Sequence, residues 1–127
     1  MALIRSFREL RAYQQARDEA HRIFEVTKTF PNEEKFSMTD QIRRSSRAVK
    51  SMIAEAWGHR RYSASFVSKL TDAIGEAAET QSWLDDALDC GYVSPLQHQK
   101  FDLAWQSIGG MIANMIAKAD DFCRNAQ

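Results

Sequence analysis

Apolar residues recur along this chain at spacings of three and four, and the breaks in that rhythm fall at helix-stop residues. Phe7, Leu10, Tyr13, Ala16, Ala20, Ile23, Phe24 and Thr27 form the first such series. Positions spaced in this way share one face of a 3.6-residue helix. Ser6-Phe7-Arg8-Glu9 ahead of the series has capping-box spacing, with a hydroxyl for the third amide and a carboxylate reaching back. Phe30-Pro31 ends it, because the residue before a proline is pushed out of the α region. These signals predict a helix over about 6–29.

The second series, Met38, Ile42, Ser45, Val49, Met52, Ile53 and Ala56, starts near Ser37, with Asp40 three residues on, and stops at Gly58. It predicts a helix over about 37–58. The third follows Ser63 through Phe66, Leu70, Ala73, Ile74, Ala77, Leu84 and Leu88 to Gly91, predicting about 63–90, with Gly91 as the left-handed cap. The fourth has the clearest start: Ser94 as N-cap, Pro95 at the first helical position and Gln97 two further on. It continues through Phe101, Leu103, Ile108, Met111, Ile112, Met115, Ile116 and Phe122, predicting about 94–123. No period-two run argues for a strand. Four amphipathic helices of roughly 35–45 Å each, joined by short connections, fold as an antiparallel up-down-up-down bundle. The whole chain, 1–127, reads as a single all-α domain without repeats or linkers. Gly75 and the pair Gly109-Gly110 interrupt helices at a cost of about 1 kcal/mol each. Close approach to a neighbouring helix is the expected reason to keep them.

Composition fits this picture. The chain has 127 residues, 44% hydrophobic and 27% charged, enough for a real core without staples. Cys90 and Cys123 form no CxxC pair and read as reduced thiols. The first ten residues, broken by Arg5, Arg8 and Glu9, are no signal peptide, and no apolar run reaches a membrane-spanning length. A cytoplasmic protein with no membrane association is expected.

Seventeen basic and seventeen acidic residues cancel, which excludes bulk attraction to nucleic acid. Locally they segregate. Between Gln41 and Arg61 lie Arg43, Arg44, Arg47, Lys50, Arg60 and Arg61, with Glu55 as the one acid. Between Leu70 and Cys90 lie Asp72, Glu76, Glu79, Asp85, Asp86 and Asp89, with no base. The six basic residues are the candidate nucleic-acid surface, for RNA or DNA. Asp72, Glu76, Glu79 and Asp86 fall opposite the apolar face of the third helix, and Trp83 falls among them. Asp72, Glu76, Glu79 and Asp86, together with Trp83 as the anchor and Trp57 at the border of the basic stripe, are the candidate subunit interface. The alternative is a ring lying across long neighbouring side chains. The two stripes neutralise each other either within one bundle or between copies.

Catalytic readings find little support. A ferritin-like metal site needs Glu-x-x-His pairs, and none of His21, His59 and His98 has a glutamate three residues before it. Glu55 and His59 are four apart, but His59 sits at a helix end. Ser45, Ser46 and Ser51 have no paired base, and no nucleophile elbow, P-loop or H-E-x-x-H occurs. No catalytic residue, metal ligand or cofactor is assigned. A small metal-binding or enzymatic bundle and a purely structural self-assembling protein stand as the alternatives to an interaction protein.

Six segments in order resemble one known family. They are Phe7-Arg8-Glu9-Leu10, Phe30-Pro31-Asn32-Glu33-Glu34-Lys35-Phe36, Gln41-Ile42-Arg43-Arg44-Ser45, Ile53-Ala54-Glu55-Ala56, Gly75-Glu76-Ala77-Ala78-Glu79 and Gly91-Tyr92-Val93. Together they are similar to the four-helix-bundle family of 23S rRNA intervening-sequence (S23) proteins over nearly the whole chain. Met52, Ala56 and Glu76 depart from that family's usual Asn, Gly and Ser. The resemblance implies a non-enzymatic bundle that assembles as a homopentamer. It also implies kinship with accessory proteins of diversity-generating retroelements, and through them nucleic acid and a reverse transcriptase as partners.

Overall fold

The computed structural model describes residues 3–124, so the ends of the predicted 1–127 domain, including Met1, lie outside the described residues. Four long helices are present: α1 Arg11–Thr27, α2 Met38–Gly58, α3 Ser63–Asp89 and α4 Pro95–Ala117, followed by a short α5, Ala119–Cys123. Short 3₁₀ turns lie at Phe7–Glu9 and Asn32–Glu34. No strand occurs among the described residues. Helix α1 packs on α2 and α4, and α3 packs on the same two, which closes a square. The connections are short, so each helix runs antiparallel to the one before it. No helix among the described residues is long and apolar enough to cross a membrane.

The core is built from the predicted stripes. Ile23, Ile42, Val49, Ile53, Phe66 and Leu70 have no solvent exposure. Each such side chain contributes about 1.5–3 kcal/mol by leaving water. A second cluster of Phe30, Met38, Ala87 and Val93 closes the end of the bundle where α1 passes into α2 and α3 into α4. The buried hydroxyls of Ser45 and Thr80 are matched to each other, 2.8 Å apart across α2 and α3, whereas the Trp105 indole N–H and one Glu76 carboxylate oxygen are buried without a side-chain or backbone partner among the described residues.

The best-formed ends are those with the strongest local signals. The Ser94 hydroxyl accepts from the Gln97 amide at 3.1 Å, and the Gln97 side chain accepts from the Ser94 amide at 2.8 Å. Gly91 adopts φ +75°, and the Tyr92 and Gly91 amides donate to the carbonyls of Ala87 and Leu88, a Schellman closure of α3.

Elsewhere the chain departs from expectation. The first predicted helix is divided at Leu10, whose backbone is extended (φ −69°, ψ 127°) so that its side chain reaches the core before α1 begins. The capping box is correspondingly rearranged. The Ser6 hydroxyl accepts from Arg8, and the Glu9 carboxylate accepts from the Arg5 amide at 2.7 Å. Ser37 does not cap α2; its hydroxyl donates instead to Glu34 at 2.6 Å. The fourth helix breaks at Lys118 (φ −104°, ψ 23°), which folds α5 back so that Phe122 stacks on Phe66 at 5.6 Å. Leu103, expected on the inner face, is 57% exposed, while Trp105, absent from the predicted stripe, is fully buried. Phe101, Trp105, Ile108 and Ile112 follow the four-three-four rhythm that Leu103 breaks. Gly75, Gly109 and Gly110 do not mediate close packing within the chain: a Cβ at any of them would meet nothing within 4 Å.

Candidate functional site

Helices α1 and α2 lie side by side, and their spacing creates two facing rows of side chains. On α1, Gln14, Arg17, His21 and Phe24 are spaced three, four and three apart. On α2, Arg43, Arg47 and Lys50 are spaced four and three apart. Each row therefore follows the border of its helix's buried stripe. Between them runs a groove of about 970 Å³ lined by Arg8, Arg17, Arg22, Arg47 and Lys50 among others, with Asp18 as its one carboxylate.

The groove's inner wall is ordered around Phe24. The guanidinium carbons of Arg43 and Arg47 lie 4.7 and 5.4 Å from the ring centroid, and the Lys28 ammonium lies 4.9 Å from it. His21 stacks on the same ring at 6.2 Å. Arg43 Nε donates to the Thr27 hydroxyl at 2.8 Å, and that hydroxyl donates to the Phe24 carbonyl at 2.9 Å. Arg22 is paired with Glu19 and Lys28 with Glu25.

The six basic residues singled out in the sequence do not form one surface. Arg47 and Lys50 line the groove, and Arg43 joins them through Phe24. Arg44 faces the other way, across to α3, where Nη1 meets Glu76 at 3.3 Å and Nη2 meets Glu79. Hydrogen bonding to Glu76 holds this guanidinium even more firmly protonated than usual. Arg60 and Arg61 follow the end of α2, roughly 16 Å or more along the helix from Arg47. Arg60 lies 3.9 Å over the Trp57 ring and donates to the Trp57 carbonyl, while Arg61 lies against Tyr62.

The acidic stripe also divides. Glu76 and Glu79 are turned toward Arg44, so part of the charge is neutralised within one bundle. Trp83 does not stand on an outer face. It is half-buried against both core clusters, with its indole N–H 3.4 Å from Glu79. Trp57 is likewise packed on the core. Asp72 and Asp86 are exposed and make no ion pair among the described residues.

Nothing gathers as a metal centre: among the described residues no group of three or more His, Cys, Asp or Glu side chains converges. Glu55 pairs with Lys69 at 3.2 Å, whereas His59 meets Ser65 at 3.0 Å, so the two separate. His98 pairs with Asp85 at 2.8 Å. Cys90 and Cys123 are free thiols.

Sequence reasoning missed the α1 half of the groove. Arg8, Arg17 and Arg22 are interspersed with acids along the chain and form no run. The available signal was the Gln14-Arg17-His21-Phe24 spacing beside the buried stripe.

The fold and sequence both have known counterparts. A crystal structure of a protein of unknown function from the S23 ribosomal protein family of Bacteroides thetaiotaomicron matches with a TM-score of 0.76 and 29% identity. The match covers 84% of this chain and 95% of that one. No curated protein matches. The family profile described as "23S rRNA-intervening sequence protein" matches residues 8–114, spanning the groove and all four long helices from α1 into α4. This chain belongs to the family of 23S rRNA-intervening sequence proteins.

Proposed function

We propose that this chain is a non-enzymatic, self-assembling helical bundle that engages nucleic acid through the groove between α1 and α2. One observation carries the reading: five cationic side chains, two from α1, two from α2 and Arg8 from the turn ahead of α1, line a single concavity with one carboxylate among its lining residues, in a chain with no net charge. A groove of that kind recognises the phosphate backbone, which supplies most of the affinity in sequence-independent binding. Four of the five cations sit on α1 and α2 rather than on loops, so their backbone does not have to be ordered on binding.

Assembly, as a pentamer, is the second part of the proposal. The outer face of α3 carries Ser68, Thr71, Gly75, Ala78 and Ser82, flanked by the exposed Asp72 and Asp86. Helix α4 has no charged residue from Leu103 to Ala117. Helical glycines that meet nothing within their own chain leave room for the backbone of another copy. Of the residues first assigned to a subunit contact, Asp72 and Asp86 fit this face. Trp57, Glu76, Glu79 and Trp83 are engaged within the bundle.

The test is fluorescence anisotropy of labelled RNA and DNA against protein, repeated between about 50 and 200 mM salt. Binding whose logarithm falls linearly with log salt, at a slope of roughly −3 to −4, is expected if three or four phosphates are contacted. Absence of binding at low salt overturns the nucleic-acid reading. Light scattering tests the assembly separately; a monomeric mass overturns that part.

A further inference from the structure

We infer that Phe24 is a positioning residue that braces Arg43 and Arg47 as a two-guanidinium clamp for a phosphodiester. The inference rests on reading the groove as a nucleic-acid site and adds how that site holds its ligand. An arginine on a solvated helix face has many rotamers, and binding must freeze them. Here much of that freedom is already removed. Both guanidiniums lie within 5.4 Å of the Phe24 centroid, one helical turn apart on α2. Arg43 is further fixed because its Nε donates to Thr27. Thr27 is itself 2% exposed and held by the Phe24 carbonyl.

Among the described residues no protein acceptor meets the Nη atoms of Arg43 or any guanidinium nitrogen of Arg47. Their donors are therefore available to a ligand. Lys28 adds a third cation over the same ring, and His21 a fourth nitrogen-bearing group beside it. Glu25 is shared between Lys28 at 3.2 Å and His21 at 3.6 Å. Lys28 is thus compensated, while among the described residues no carboxylate pairs with Arg43 or Arg47, the two guanidiniums against the ring. The two non-bridging oxygens of a phosphodiester match a guanidinium fork and supply the missing charge. Arg17 and Lys50 also line the groove and serve the neighbouring phosphates of the same strand.

The ring carries no charge, so its loss has a signature distinct from loss of an arginine. Phe24→Leu is expected to weaken RNA binding about fivefold to tenfold, with an unchanged salt slope, while Phe24→Tyr binds as the parent does. Arg47→Gln is expected to reduce the slope by about one. Circular dichroism and the melting temperature confirm that each variant is folded. Parent-level affinity in Phe24→Leu, or a slope reduced as in Arg47→Gln, overturns the clamp while leaving the groove reading intact. So does a preference for single strands over duplex that disappears in Phe24→Leu, because the ring would then be stacking bases. Inorganic phosphate at matched ionic strength is expected to displace RNA only weakly. Full displacement at micromolar phosphate assigns the clamp to the free anion and overturns the proposal. If the parent protein binds no nucleic acid, the groove reading falls and the clamp with it.

Discussion

Arg44 on α2 reaches across to Glu76 on α3, with Nη1 3.3 Å from Oε1, while the other carboxylate oxygen of Glu76 is buried without a partner. The same guanidinium also meets Glu79. This arginine thus ties two helices together, whereas Arg47, three residues on, turns into the groove. The two neighbours should behave oppositely. Arg44→Ala is expected to cost on the order of 1 kcal/mol, since it strands a partly buried carboxylate, and to leave RNA affinity nearly unchanged. Arg47→Ala is expected to leave the melting temperature almost unchanged and to weaken RNA binding. Chemical denaturation and anisotropy on the two variants check both halves.

The Tyr92 hydroxyl donates to Glu34 at 2.9 Å and so joins the α3–α4 turn to the α1–α2 connection. Hydrogen bonds from Ser37 and Tyr92 lower the Glu34 carboxyl below its ordinary 4.5. The bond to Glu34 pushes the Tyr92 phenol from 10.0 up to about 12. The glutamate's contribution is present above about pH 4.5 and is lost as pH falls through its lowered value. The tyrosine's contribution is complete below about pH 10 and is lost as pH rises toward 12. The gap in melting temperature between the parent and Tyr92→Phe is therefore expected to be widest between those limits and to shrink on both sides. A gap that does not vary with pH would mean the bond contributes nothing.

Ser45 and Thr80 share a buried hydrogen bond in which one hydroxyl donates to the other, and the accepting hydroxyl is left to donate to a carbonyl on its own helix, that of Ile42 or of Glu76. Ser45→Ala is expected to destabilise by about 1 kcal/mol. Thr80→Val added to it should cost less than it does alone, because the partner has already gone. Urea titration of the double-mutant cycle measures the coupling, and strict additivity would remove the bond from the account.

Gly75 lies on an exposed position of α3 with open space where a Cβ would stand. Gly75→Ala is expected to raise bundle stability by about 0.5–1 kcal/mol. Gly75→Arg, tolerated by the monomer, is expected to lower the assembled mass seen by light scattering. An unchanged mass would place the subunit contact elsewhere.

The helices were legible wherever a local signal sufficed. Ser94-Pro95-Gln97 and Gly91 act within a few residues of themselves, so spacing alone located them. The break at Leu10 and the break at Lys118 were not legible, because each is set by what the side chains on either side must reach in the core. Trp105 was missed for a related reason: its place depends on the phase of α4, and Leu103 suggested a different phase. The basic stripe was visible on α2 but incomplete. Its α1 half comes from residues that are scattered in sequence and converge only when the two helices pair. Direction was hidden too, since nothing in Arg43-Arg44 distinguishes a residue facing Phe24 from one facing Glu76.

The central claim is that the nucleic-acid surface is the α1–α2 groove and not the basic turn after α2. Two charge reversals measured side by side in the RNA-binding assay decide it. Arg47→Glu with Lys50→Glu is expected to abolish binding, while Arg60→Glu with Arg61→Glu retains affinity within a few-fold of the parent. Retained binding in the first variant together with loss in the second would contradict the account.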